Sequence, residues 1–193
     1  MRRINLILLA LLIGAAFPLS ALAGNITGDT VNWQYYAYGG AYTYAYGGGT
    51  TSGSFAVPCT SCGNFDGYFL IDSGPNSITF DYSEYTGSPV NWAASALSLS
   101  PDIYNGIDLL FTGGSITSVS IDAATNMAGF NLSDVYFTGN EIQVNWANLP
   151  FDSSTIVTLD VNGTAATPEP GSLALLGSGL LASIGFMRRK LGR

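Results

Sequence analysis

The sequence contains no histidine, and none of its six basic residues lies between Arg3 and Arg188. That interval therefore has no imidazole base, no Schiff-base lysine and no imidazole ligand for a transition metal. A Ser-His-Asp or Cys-His arrangement cannot be assembled. Without a basic patch there is nothing to neutralise a phosphate backbone, so nucleic acid is excluded as a partner. Long apolar runs are missing everywhere except at the two ends, which argues against a polytopic membrane protein. Cysteine is almost absent too. Cys59 and Cys62 stand in a Cys-Thr-Ser-Cys segment flanked by Pro58 and Gly63. A zinc site needs four ligands, and haem attachment needs a histidine where Gly63 stands. A thioredoxin-like redox pair sits at a helix N-terminus in a βαβ setting, and the sequence has no such pattern. The expectation is a structural disulfide in a short loop, formed after export and contributing roughly 2 kcal/mol.

What is present divides into two ends and a body. Arg2 and Arg3 open the chain, residues 4–17 are apolar apart from Asn5, and Pro18 follows. Ala21-Leu22-Ala23 then places small residues at both recognition positions of a cleavage site, which predicts a signal helix removed before Gly24. The implied partners are the Sec machinery and signal peptidase.

At the other end, Thr167-Pro168-Glu169-Pro170-Gly171 leads into a Gly- and Leu-rich run over 171–187, and Arg188-Arg189-Lys190 follow at once. The prolines fix an extended stem, the run is at the short end for a single transmembrane helix, and the basic cluster belongs on the cytoplasmic side. Everything between Gly24 and Pro170 is then outside the inner membrane. This tripartite tail resembles the PEP-CTERM sorting domain of Gram-negative bacteria, on Pro168, Glu169, Pro170, the short span and the cluster Arg188, Arg189, Lys190. The resemblance implies recognition by an exosortase, a membrane transpeptidase-like protease. It further implies release of the cargo to the cell surface or to a biofilm matrix rich in exopolysaccharide.

The body is acidic. Twelve of the thirteen carboxylates lie between Asp29 and Asp160 and the other is Glu169, so the cargo carries a net charge near −12 against −7 for the whole chain. Such a body is repelled by anionic lipids and acidic polysaccharides unless a divalent cation bridges them. Its composition, rich in Thr, Val, Tyr, Phe, Ser and Gly, favours strands. Candidates fall at residues 30–38, 41–46, 67–72, 77–82, 96–99, 106–111, 116–121, 133–137, 141–146 and 155–161. A tight turn is expected at Gly39-Gly40 and another at Ser73-Gly74-Pro75-Asn76. Ile142, Val144 and Trp146 alternate with Glu141, Gln143 and Asn145, and Val157, Leu159 and Val161 alternate with Ile156, Thr158 and Asp160. Turns every eight to twelve residues predict an all-β cargo, a β-sandwich or jelly roll, over residues 24–166, between a signal peptide at 1–23 and a sorting tail at 167–193.

Carboxylates are the only acid/base groups left. The nearest in sequence are Asp66 with Asp72, Asp81 with Glu84, and Asp102 with Asp108. Nothing in their spacing singles out a glycosidase pair, and the expectation is a non-catalytic protein with no obligate cofactor. Ca²⁺ is the one cation such oxygens favour, although no D-x-D-x-D-G loop is present. The tyrosines at 36, 38, 42, 44 and 46, within a repeated Tyr-Ala-Tyr-Gly-Gly, have two readings. Tyr36, Tyr38, Tyr42, Tyr44 and Tyr46 either present a platform for sugar rings or pack as an aromatic strand pair. Two functions remain open: a surface or matrix protein delivered by its tail, and a secreted carbohydrate-binding module.

Overall fold

Alternation of apolar and polar side chains produces most of the observed strands. The computed structural model describes residues 24–45, 47–94 and 105–164. The expected signal helix, the candidate strand at 96–99, Asp102, Tyr46 and the tail with its expected transmembrane helix lie outside the described residues. β1 (Thr30–Ala37) buries Val31, Trp33, Tyr35 and Ala37 and turns Asn32, Gln34 and Tyr36 the other way. Next come β2 (Gly40–Ala41), β3 (Ser52–Ala56), β4 (Cys59–Phe65), β5 (Phe69–Gly74), β6 (Ser77–Asp81) and β7 (Val90–Asn91). The second half adds β8 (Asn105–Thr112), β9 (Ser115–Ile121), β10 (Val135–Phe137), β11 (Glu141–Asn145), β12 (Pro150–Phe151) and β13 (Ile156–Thr164). A single 3₁₀ turn, Leu132–Asp134, is the helical element among the described residues, and a capping box between Asn131 and Asp134 closes it.

Two antiparallel sheets face each other. The front sheet runs β10-β11-β8-β1-β2, with β3 also pairing β1, and the back sheet runs β4-β5-β6-β13-β9. β7 and β12 form a small separate ribbon. Aromatic rings bridge the sheets. Tyr35 of β1 stacks on Phe65 of β4 with centroids 3.7 Å apart, and Trp146, just past β11, meets Phe69 and Phe80 edge-on at 6.1 and 5.2 Å. Neither sheet closes on itself, so the cargo is an open β-sandwich. The all-β expectation holds, and all three tryptophans are core residues.

Several local expectations need correction. The first hairpin turns at Tyr38-Gly39, one residue before the expected pair, because Ala37 pairs with Gly40 and both turn residues take positive φ, 54° and 87°. The returning strand expected over 41–46 stops at Ala41. β3 takes over the edge of β1 from Thr30 to Gln34, a strand the sequence reading missed because Ser52, Gly53 and Ser54 offer no apolar alternation. Cys59 and Cys62 are not in a loop but inside β4. Four steps of β4 (Cys59 to Gly63) lie against two of β5 (Ser73 to Ile71), so the strand bulges there. The bulge brings the two Cα atoms to 5.7 Å and allows the Cys59–Cys62 disulfide; three residues of flat strand would hold them about 10 Å apart. Ser133 and Asp134, expected at the start of a strand, form the 3₁₀ turn before β10 instead.

Two glycines define how the sheets meet at Trp33. A Cβ on Gly53 would come within 2.8 Å of the Trp33 indole nitrogen, and one on Gly63 within 2.9 Å. The indole is thus held between β3 of one sheet and β4 of the other. Gly63→Ala is expected to lower stability by about 1–3 kcal/mol through this overpacking, read as a fall in the urea midpoint. Gly40→Ala has no heavy atom within 4 Å of the new methyl and should leave the midpoint unchanged or higher.

Candidate functional site

One concavity among the described residues is aromatic. It opens at the end of the sandwich where β1 runs into its tight turn, encloses about 280 Å³, and is lined chiefly by Tyr38, Tyr42, Tyr68, Tyr85, Trp92 and Phe151, over a floor of Tyr35 and Phe65. Trp92 stacks on Phe151 at 4.6 Å, and Tyr68 stacks on Tyr85 at 5.8 Å. Hydrogen bonds fix the rings beneath the opening. The Tyr35 hydroxyl donates to Asn105 Oδ1 at 2.6 Å, Asn105 Nδ2 donates to the Ala93 carbonyl at 2.9 Å, and the Trp92 indole donates to the Tyr82 hydroxyl at 3.2 Å. Burial drives the Tyr35 and Tyr82 hydroxyls well above the ordinary tyrosine range, so both stay protonated donors. Rigid rings with a few polar groups at the rim suit a ligand that has both apolar faces and hydroxyls.

Only part of the tyrosine series reaches this cavity. Tyr38 does so from the hairpin turn, 68% exposed. Tyr42 reaches it from the segment after β2, half-buried against the core. Tyr44 is 67% exposed and is not among the lining residues. Tyr36 faces outward on the front sheet, beside Gly106 in register. Tyr46 lies outside the described residues. The series is therefore neither a continuous platform nor a packed strand pair. Tyr68, Tyr85, Trp92 and Phe151, which complete the cavity, are drawn from β4–β5, β6–β7 and β12, and the sequence reading had no means of grouping them.

The cavity and the two ends of the described domain, Gly24 and Gly163, sit at opposite poles. Gly24 donates its N–H to the Gly163 carbonyl at 3.0 Å, and Asp29 accepts from Gly114 at 2.7 Å, both near the Thr30 end of β1. The cavity borders Ala37, at the other end of the same eight-residue strand, about 25 Å away. Gly24 is the first described residue. Ala21 and Ala23, and the sorting residues Pro168, Glu169, Pro170, Arg188, Arg189 and Lys190, lie outside the described ones.

Of the acidic pairs nearest in sequence, Asp66 with Asp72 and Asp81 with Glu84 take other partners, and Asp102 lies outside the described residues. Asp66 accepts from the Gly47 N–H and Asp72 from the Ser61 N–H. Asp81 accepts from Ser83 at 2.8 Å, while Glu84 faces Asn64 at 3.5 Å. Asp108 instead meets Glu141, 33 residues away in sequence but beside it on the outer face of the front sheet. The two carboxyl groups share a hydrogen bond, and burial, followed by the Glu141 charge, raises the Asp108 carboxyl to about 7. Gln143 is the cross-strand partner of Asp108 and donates to Glu141 Oε1 at 2.6 Å. The alternation of β11 had marked Glu141 and Gln143 as outward-facing, but only the register of β11 on β8 reveals their neighbour.

Residues 166–190 match the family model of the PEP-CTERM protein-sorting motif, an interval that contains the Pro168-Glu169-Pro170 stem and the basic cluster. No curated protein and no solved structure matches the chain.

The Asp108 carboxyl gives the fold a testable pH dependence. Its folded-state pKa lies above the ordinary 3.8, so its contribution to stability is full below about pH 4 and is lost as the pH rises through about 7. In metal-free buffer, Asp108→Asn should melt higher than the parent chain at about pH 8. The two should melt alike at about pH 4, as followed by calorimetry.

Proposed function

We propose that the chain, whose residues 166–190 match the PEP-CTERM protein-sorting motif, is an exported, non-catalytic component of the cell surface or extracellular matrix of a Gram-negative bacterium. The sorting motif carries this reading: it implies export, membrane-associated processing and handling by an exosortase. The residue chemistry supports the non-catalytic part. The sequence has no histidine, and the carboxylate pair Asp108–Glu141 is hydrogen-bonded, leaving no gap for a glycosidic bond between its members. An acidic body without Lys or Arg stays soluble and is repelled from the anionic inner membrane once released.

In cell-envelope and medium fractions, the mature species should have a mass that begins at Gly24 and ends near Pro168–Pro170, with or without an added group. Deletion of residues 172–193 should abolish delivery to the surface. A protein that reaches the surface unchanged without those residues would refute the sorting role.

A second reading is favoured by the aromatic cavity: the delivered domain binds glycan there. Stacking against rings is a low-entropy way to hold a pyranose face, and the position far from the chain ends leaves the opening free while the tail is tethered. A neutral glycan is the expected class, because the body repels acidic ones. On this reading Tyr38→Ala and Tyr68→Ala weaken binding to neutral exopolysaccharide about threefold to tenfold each, while Tyr44→Ala leaves it unchanged. Isothermal titration against the purified polysaccharide checks this, and equal affinities in all three variants would exclude the cavity.

A further inference from the structure

We propose that Asp108, Glu141 and Gln143 form a binding site for a hard divalent cation, calcium, on the outer face of the front sheet. Asp29, Asp66, Asp72, Asp81, Asp122, Asp134 and Asp152 each accept a backbone N–H, from Gly114, Gly47, Ser61, Ser83, Ala124, Asn131 and Ser154 respectively. Asp66 Oδ2 is buried without a partner, but its carboxylate is already held at the other oxygen by the Gly47 N–H. Asp108 has no such bond. Its Oδ1 is buried and has no hydrogen-bond partner. The same is true of Gln143 Oε1, on a side chain only 5% exposed. Both atoms are pure acceptors in register across β8 and β11, and Glu141 joins them through the Gln143 amide.

Leaving buried acceptors unmatched is costly, and among the described residues neither atom has a donor. Around the cluster stand Tyr36 from β1, whose hydroxyl is raised by burial and by the charges of Asp108 and Glu141, and Tyr136 and Asp134 from the β10 side. No cationic side chain exists anywhere between Arg3 and Arg188. What these oxygens lack is therefore positive charge. Two carboxylates and an amide carbonyl form an oxygen donor set that suits Ca²⁺, which accepts six to eight such ligands and takes the rest from water. A cavity of about 90 Å³, bordered by Gln143, Asp134 and Tyr136, adjoins the cluster and leaves room for those waters. Glu141 is only half-buried and can reposition.

The test is calorimetric titration of the full chain, purified in detergent and stripped with EGTA, with CaCl₂. One ion per chain is expected, with a dissociation constant of about 0.1–1 mM. Asp108→Asn and Gln143→Leu should each weaken binding at least about tenfold, while Gln143→Glu, which keeps an oxygen at that position, should retain it. Glu84→Gln, in a separate acidic cleft beside Asp66 and Asn64, should change nothing. Terbium luminescence excited through tyrosine provides a second readout, expected to saturate in the parent chain and to be lost in Asp108→Asn. The proposal is overturned if calcium produces no heat at millimolar concentration. It is equally overturned if folded Asp108→Asn and Gln143→Leu bind as the parent does, or if Glu84→Gln is the variant that loses the ion.

Discussion

A domain without a single cationic side chain must stabilise its carboxylates by other means, and that constraint organises the structure. Ion pairs cannot form between the described residues, so backbone N–H groups take their place. Asp152, bonded by the N–H and hydroxyl of Ser154, is held below the ordinary carboxylate range. Asp29 is pulled upward by burial and only partly relieved by the Gly114 N–H. The turns of this protein are in effect its counter-charges: Gly47, Ser61, Ser83 and Ala124 present N–H donors where another protein would place lysine. Where the sheet face offers no spare N–H, as at Asp108, the balance fails and a proton or an ion must complete it.

Cohesion comes from aromatic burial. Tyr35, Phe65, Phe69, Phe80, Tyr82, Trp92 and Trp146 make a chain of ring contacts from the front sheet to the back. At one end this chain is sealed by Phe130 against Trp146 at 5.6 Å. At the other it remains partly open, and the surplus ring surface of Tyr38, Tyr42, Tyr68 and Tyr85 becomes the wall of the cavity. Core and candidate site are thus one continuous aromatic body, which gives the cavity rigid walls at no further ordering cost.

Much of this was readable in the residues, because it depends on local pattern. β1, β6, β8, β9, β11 and β13 announce themselves by alternation, and the Pro75-Asn76 turn by its residue types. Three things were not readable. β3 and the two-residue strands exist because a neighbour needs an edge partner, not because of their own composition. The bulge that joins Cys59 to Cys62 is set by pairing with β5. Both candidate sites depend on register: Tyr42 and Tyr85, or Asp108 and Gln143, are distant in sequence and meet only once strand order is known. The tail motif was legible for the opposite reason, since its chemistry is contiguous and needs no tertiary structure to be recognised.

The seam between Gly24 and Gly163 has a mechanical consequence. Gly24, the first described residue, and Gly163, next to the end of β13, are a single hydrogen bond apart. Tension on the two ends is therefore borne at one pole of the sandwich, where β13 is also paired with β9. A domain held in this way behaves as a float on a single mooring. A single cut below the mooring would release the domain intact.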